Sequence, residues 1–355
     1  MKHPKTHRSL RVLCLSLFLL SSAAFLASAA FSQQRDSPSA IQQSAVQQFN
    51  ALQSEVLQSD DAGVIKVDVS VVNVLITVRD GKGRLISNLQ RADFDLREDG
   101  KRQQIRYFTQ ETKLPLTLGL LVDSSVSQQR LIPEERRAAA AFFEQVLGKQ
   151  DVAFLMSFDV NVDLLQDLTG SVDFLRRALG EIRINGGGGM PGPFPSVRGG
   201  GTHLYDAIYL AAREVLAPEV GRKALILISD GQDQGSRVKR EAAIEAAQRN
   251  DAILYGILFV DRGFYGRRGS FGYSGESTLK KLAEETGGRV FNIRSEKDLS
   301  GAFEQISSEL RSQYSLGYSP TNAARDGSFR KIQVKATRRG LRVRARKGYY
   351  APMGG

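Results

Sequence analysis

Residues Leu116 to Gln128 read LTLGLLVDSSVSQ: an apolar run that ends in Asp123, with Ser124, Ser125 and Ser127 close behind. Unbroken apolar character, rather than alternation, marks a strand buried on both faces, as in a parallel sheet covered by helices. Such a strand delivers the residues that follow it to the carboxyl edge of the sheet, where ligands of open α/β sheets sit at the point of strand-order reversal. Hydroxyls and carboxylates set directly behind a buried strand need partners, because an unpaired polar group out of water is costly. A metal ion would supply one.

The same grammar extends outward. DVAFLMSFD, KALILISD and AILYGILFV are further apolar runs, with weaker VDLLQDL and RVFNI, and helical spacing predicts helices near 133–147, 172–182, 204–216, 237–250, 277–285 and 299–312. Strands alternating with helices predict a doubly wound, mostly parallel α/β domain over residues 113–312. Residues 66–112 and 313–355 return to β alternation. FDLREDGKRQQIRYF places two alternating runs about Asp99-Gly100, a hairpin signal. FRKIQVKAT and GLRVRARKGYY are expected to form a basic hairpin turning at Arg338 to Gly340. Neither β segment has strands enough to stand alone, so the two are expected to fold together into a small β-sandwich with the α/β domain inserted between them.

The N-terminal residues follow another logic. A basic start, an apolar run VLCLSLFLLSSAAFL and the small residues ASA form the three-part layout of a secretory signal over 1–29. A Gln/Ser-rich linker is expected over 30–65. The reading places the mature chain outside the cytosol, secreted or periplasmic, with no transmembrane helix after cleavage. The single cysteine, Cys14, lies in the leader, so the mature chain forms no disulfide. Two of three histidines leave as well, and His203 alone speaks against a zinc site of the usual His/Cys kind.

Two more polar clusters fall on the predicted carboxyl edge: Asp230 ends KALILISDG, and Thr202 opens a helix after the glycines of GGGTHLYDA. Hydroxyls with few carboxylates suit a hard cation that keeps exchangeable positions, magnesium first and manganese or calcium as alternatives. Such an ion retains positive charge and attracts an incoming carboxylate.

The pattern resembles the von Willebrand factor A domain, whose metal-ion-dependent adhesion site is D-x-S-x-S followed by a distant threonine and a distant aspartate. Asp123, Ser125, Ser127, Thr202 and Asp230 stand at the matching positions. The resemblance implies that Ser125, Ser127 and Thr202 contact the ion, while Asp123 and Asp230 bind it directly or through water. The flanks, such as VNVLITVRDGKGRLISNLQRADFDLREDGK, also resemble secreted VWFA-related proteins of the acidobacterial type, a family that implies no settled activity.

The expected function is non-enzymatic: a divalent cation bridging the site to an acidic group on a protein partner. A metal-dependent phosphohydrolase of doubly wound fold is the alternative, though an acid/base carboxylate two positions after Asp123 is replaced by Ser125, and no nucleophile elbow is present. An envelope scaffold with a vestigial site is a third reading. The glycine cluster before Thr202 lacks the phosphate-loop pattern. The segment 262–275 carries Phe264, Tyr265, Arg267, Arg268 and Tyr273, side chains typical of interface anchors.

The formal charge of +11 is concentrated in residues 311–355, where eleven Lys/Arg face one acid, Asp326. An anionic envelope polymer is therefore a candidate second partner of the basic hairpin; nucleic acid is not expected.

Overall fold

The computed structural model describes residues 71–111, 114–184, 201–259 and 270–354. The expected leader and linker lie outside them, as do Phe264, Tyr265, Arg267 and Arg268.

The central sheet follows from the apolar runs. Its order is β10 (Val290–Ile293), β9 (Ala252–Phe259), β8 (Arg222–Ser229), β5 (Leu116–Asp123), β6 (Val152–Phe158) and β7 (Val162–Thr169). All neighbours are parallel except the edge strand β7, which pairs antiparallel with β6 and has a broken register. The weak apolarity of VDLLQDL is explained by this edge position, since β5 and β8 are buried throughout while β7 is half exposed.

Burial on both faces comes from two helical layers. Leu118, Leu120 and Val122 of β5 join a core with α1 (Ile132–Val146), α2 (Val172–Glu181) and α6 (Glu296–Leu310). Leu121 points the other way, into a core with α3 (Leu204–Leu210), α4 (Arg240–Arg249) and α5 (Ser270–Thr286). Helix α3 continues through a π-helical turn over Ala211–Val215.

The flanking segments interleave, as the fold class expected. One antiparallel sheet has the order β13 (Arg342–Ala345), β1 (Val72–Arg79), β11 (Gln313–Tyr318), β4 (Ile105–Glu111); the other is β14 (Gly348–Tyr350), β12 (Phe329–Ala336), β2 (Phe94–Glu98), β3 (Lys101–Gln103). Val74, Ile76 and Val78 of β1 meet Phe94 and Leu96 of β2, Leu316 and Tyr318 of β11 and Ile332 of β12 in one core. The tight turn at Asp99-Gly100 has both residues at positive φ, 47° and 80°, the type I′ arrangement that matches strand twist.

Two expectations are corrected. The basic hairpin does not form: β12 pairs with β2 and β14, whereas β13 pairs with β1 in the opposite sheet. Alternation shows that Ile332 and Val343 turn inward, but strands that stack face to face across a core alternate just as strands side by side do. The helix predicted from Ser277 begins at Ser270, so Tyr273 belongs to α5. Gly272 and Gly275 read as loop residues by propensity, and tertiary contact overrides that preference.

Candidate metal centre

Strand order reverses between β5 and β8, which lead in opposite directions across the sheet. In register, Val122 lies beside Ile228, so Asp123 and the Ser229-Asp230 pair emerge together at the carboxyl edge. Asp123 is fully buried. Its Oδ1 accepts the backbone N–H of Ser125 at 3.0 Å, and its Oδ2 accepts the Ser229 hydroxyl at 2.7 Å. The Ser125 and Ser127 hydroxyl oxygens are 3.0 Å apart. Asp230, also buried, accepts the backbone N–H of Gln232 at 3.0 Å.

Electrostatics reinforce the picture. Burial, then the charge of Asp230, push the Asp123 carboxyl up to about 7, against the smaller pull of hydrogen bonds from Ser125 and Ser229. Two buried carboxylates that repel each other, fronted by hydroxyls, form a donor set that a hard cation would neutralise. The residues therefore fit the expected ion.

Thr202 reaches the same rim through its backbone. It exchanges two hydrogen bonds with Gln234, at 3.0 and 2.9 Å, tying the start of α3 to the loop after Asp230. The neighbouring His203 N–H donates to the Asp159 carbonyl at 2.7 Å, and the Asp159 carboxylate accepts the Ser124 hydroxyl at 3.1 Å. The loops carrying Ser124, Asp159 and Thr202 are thus linked. Two glycines make the approach possible on the other side. Gly231 has φ +76°, and a Cβ on Gly275 of α5 would stand 2.0 Å from the Asp230 carbonyl oxygen.

The family model of the von Willebrand factor type A domain matches residues 194–305. The chain carries a von Willebrand factor A domain. The matched stretch holds Thr202 and Asp230 but begins after Asp123, Ser125 and Ser127. No curated protein matches the chain. Among solved structures, the vWF domain of the type V pili tip protein Mfa5 from Porphyromonas gingivalis is 14% identical, covering 55% of this chain and 94% of its own, with TM-score 0.42. The von Willebrand factor type A protein from Catenulispora acidiphila is 13% identical over 81% of this chain and 75% of its own, TM-score 0.42. Proximal thread matrix protein 1 from the mussel byssus, with a zinc-occupied MIDAS motif, is 14% identical over 57% of this chain and 50% of its own, TM-score 0.41.

The A domain also holds polar groups that sequence reading passed over. Ser229 donates to Asp123 and accepts the Gly231 N–H at 2.9 Å, so it orients the Asp123 carboxylate and the following turn at once. Glu135 lies on the buried stripe of α1 with Ile132, Ala138, Ala139 and Phe142. It is fully buried, and neither carboxyl oxygen has a hydrogen-bond partner. Burial first, then the charges of Asp123 and Glu134, raise its pKa well above the ordinary glutamate value. A carboxyl at a core position of an amphipathic helix was the available signal. Among the described residues, no group of three His, Cys, Asp or Glu side chains forms a conventional ion cage. An ion held here would have to take its remaining donors from the hydroxyls.

Proposed function

We propose that this protein is an extracytoplasmic binding module, not an enzyme, in which a divalent cation held by Asp123, Ser125, Ser127, Thr202 and Asp230 engages a carboxylate on a protein partner. The observation that carries the reading is the buried, mutually repelling pair Asp123 and Asp230 beside the Ser125 and Ser127 hydroxyls at the switch point of the sheet. With one of the two carboxylates holding the ion only through water, and the neutral hydroxyls adding no charge, a bound ion would keep part of its positive charge and would favour a negatively charged ligand donor. Magnesium suits the all-oxygen set, with manganese and calcium as competitors. No helix among the described residues is long and apolar enough to cross a membrane.

Calorimetric titration with magnesium tests the site, followed by capture of partners from an envelope extract with and without chelator. Asp123→Ala is expected to lose both ion uptake and chelator-sensitive capture. Wild-type ion affinity in that variant would overturn the assignment.

A further inference from the structure

At the opposite end of the A domain, where α5 meets the sandwich, lies a half-open cavity of about 620 Å³. Three distant segments line it: the turn after β1 (Arg79 to Gly83), the end of α5 and the residues just after it (Glu284, Gly287, Gly288), and strand β13 (Arg342 to Ala345) with Lys347 beyond it. Five basic side chains, Arg79, Lys82, Arg342, Arg344 and Lys347, face two acidic ones. Asp80 is already occupied, accepting Arg84 Nε at 2.8 Å and the backbone N–H groups of Lys82 and Arg84 at 2.9 Å. Glu284 and the carbonyl end of α5 make one negative wall, which confines an anion to the β1/β13 side.

Most arginines of the C-terminal region are committed elsewhere. Arg330 reaches Glu98, Arg338 pairs with Asp93 and Arg346 pairs with Asp251. The cavity arginines are arranged differently. Arg79 and Arg342 stand directly opposite each other in the β1/β13 register, a placement that costs stability when like charges face unscreened. Arg79 is partly compensated by Glu309 at 2.5 Å and Arg344 donates to the Gly288 carbonyl at 2.9 Å, whereas Arg342, Lys82 and Lys347 make no ion pair with any described residue. Arg342 and Arg344, two positions apart on one strand, present neighbouring guanidinium forks on one face of the sheet. Planar forks in that arrangement match phosphate oxygens.

We propose that this cavity binds a phosphate-bearing anion of at least two closely spaced phosphoryl groups, independently of the metal centre. The same chemistry is offered by free polyphosphate and by phosphorylated lipid headgroups. The test uses the full chain in metal-free buffer at 150 mM salt, titrated calorimetrically with tripolyphosphate and, separately, with vesicles of phosphatidic acid in phosphatidylcholine. Saturable binding to either probe is expected, and the preferred probe identifies the source.

Arg342→Glu with Lys347→Glu is expected to lower affinity at least tenfold. Lys331→Glu with Lys335→Glu makes the same change of charge on the exposed face of β12, outside the cavity, and is expected to change affinity less than twofold. Asp123→Asn is expected to bind as wild type does. Thermal unfolding confirms that each variant is folded. No saturable binding to either probe, equal losses in the two double variants, or tighter binding of citrate than of tripolyphosphate would overturn the proposal.

Discussion

Replacing Asp123 by asparagine separates what the metal centre costs from what it gains. In the ion-free protein, burial and the neighbouring Asp230 lift the Asp123 carboxyl from 3.8 to about 7. A carboxyl raised in the fold holds a proton that the unfolded chain has already released. Ion-free stability is therefore fully present below about pH 4 and falls as pH rises toward 7, then levels off. At about 1.4 kcal/mol for each pH unit over which the proton is held, the loss at pH 8 is on the order of 4 kcal/mol. Asparagine removes the charge at nearly constant shape. Of the bonds from the Ser125 N–H and the Ser229 hydroxyl it keeps one oxygen acceptor, at an offset of roughly 1–2 kcal/mol. The net gain is about 2 kcal/mol, or roughly 4–8 °C in melting temperature for a domain of this size. Magnesium at a hundredfold over Kd should stabilise wild type by about 2.7 kcal/mol and the variant by nothing. Melting followed by circular dichroism at pH 8 should thus show the variant above wild type in chelator and at or below it in magnesium. A variant no more stable than wild type in chelator would refute the electrostatic argument, and an undiminished magnesium response would refute the site.

Three other perturbations probe the surroundings. Glu135, unpartnered and raised by burial, contributes stability that is lost as pH climbs through its folded value; Glu135→Gln should flatten the fall in stability between pH 5 and 9 in denaturant titrations, and an unchanged slope would contradict it. Gly275→Ala should weaken magnesium binding about tenfold with unchanged far-ultraviolet dichroism, because its Cβ would displace the Asp230 carbonyl. In the sandwich, Glu98 accepts the Tyr318 and Tyr349 hydroxyls at 2.6 and 3.0 Å and faces buried Arg330. Glu98→Ala strands that cation and should cost about 3–5 kcal/mol, read from the urea midpoint; a loss below 1 kcal/mol would show that Arg330 is held by its bonds to the Asn322 and Ala324 carbonyls alone.

The parts legible in the sequence were those governed by local period. Unbroken apolar runs gave β5, β6, β8 and β9 because strands covered on two faces admit no polar position, and Asp123, Ser125 and Ser127 declared themselves by interrupting such a run. What the period could not carry was pairing. Inward residues on β12 and β13 alternate alike whether the strands are neighbours in one sheet or partners across a core, so the hairpin between them was misread. The start of α5 was hidden for a different reason. Gly275 serves contact with the Asp230 carbonyl, which is forty-five positions away and invisible to a local scan. Glu135 was legible in principle, as a carboxyl on an apolar helical stripe, yet its meaning depends on Asp123 lying nearby.

The way the A domain is inserted accounts for the placement of both sites. Its entry and exit strands, β4 and β11, are hydrogen-bonded neighbours, with Glu111 opposite Gln313. The two connections therefore leave the sandwich side by side. Arg222, buried at the start of β8, draws them together by donating to the Leu114 carbonyl at 3.0 Å and to the Leu310 carbonyl at 2.5 Å. Parallel strands anchored at their amino ends in this way must carry their carboxyl ends, and with them Asp123 and Asp230, to the face farthest from the sandwich. The candidate metal site is thereby placed away from the sandwich, while the basic cavity forms where the two bodies meet. Because the ends are joined through β1, β11 and α6, whose Glu309 pairs with Arg79, a ligand in the cavity would contact the sandwich and the A domain together.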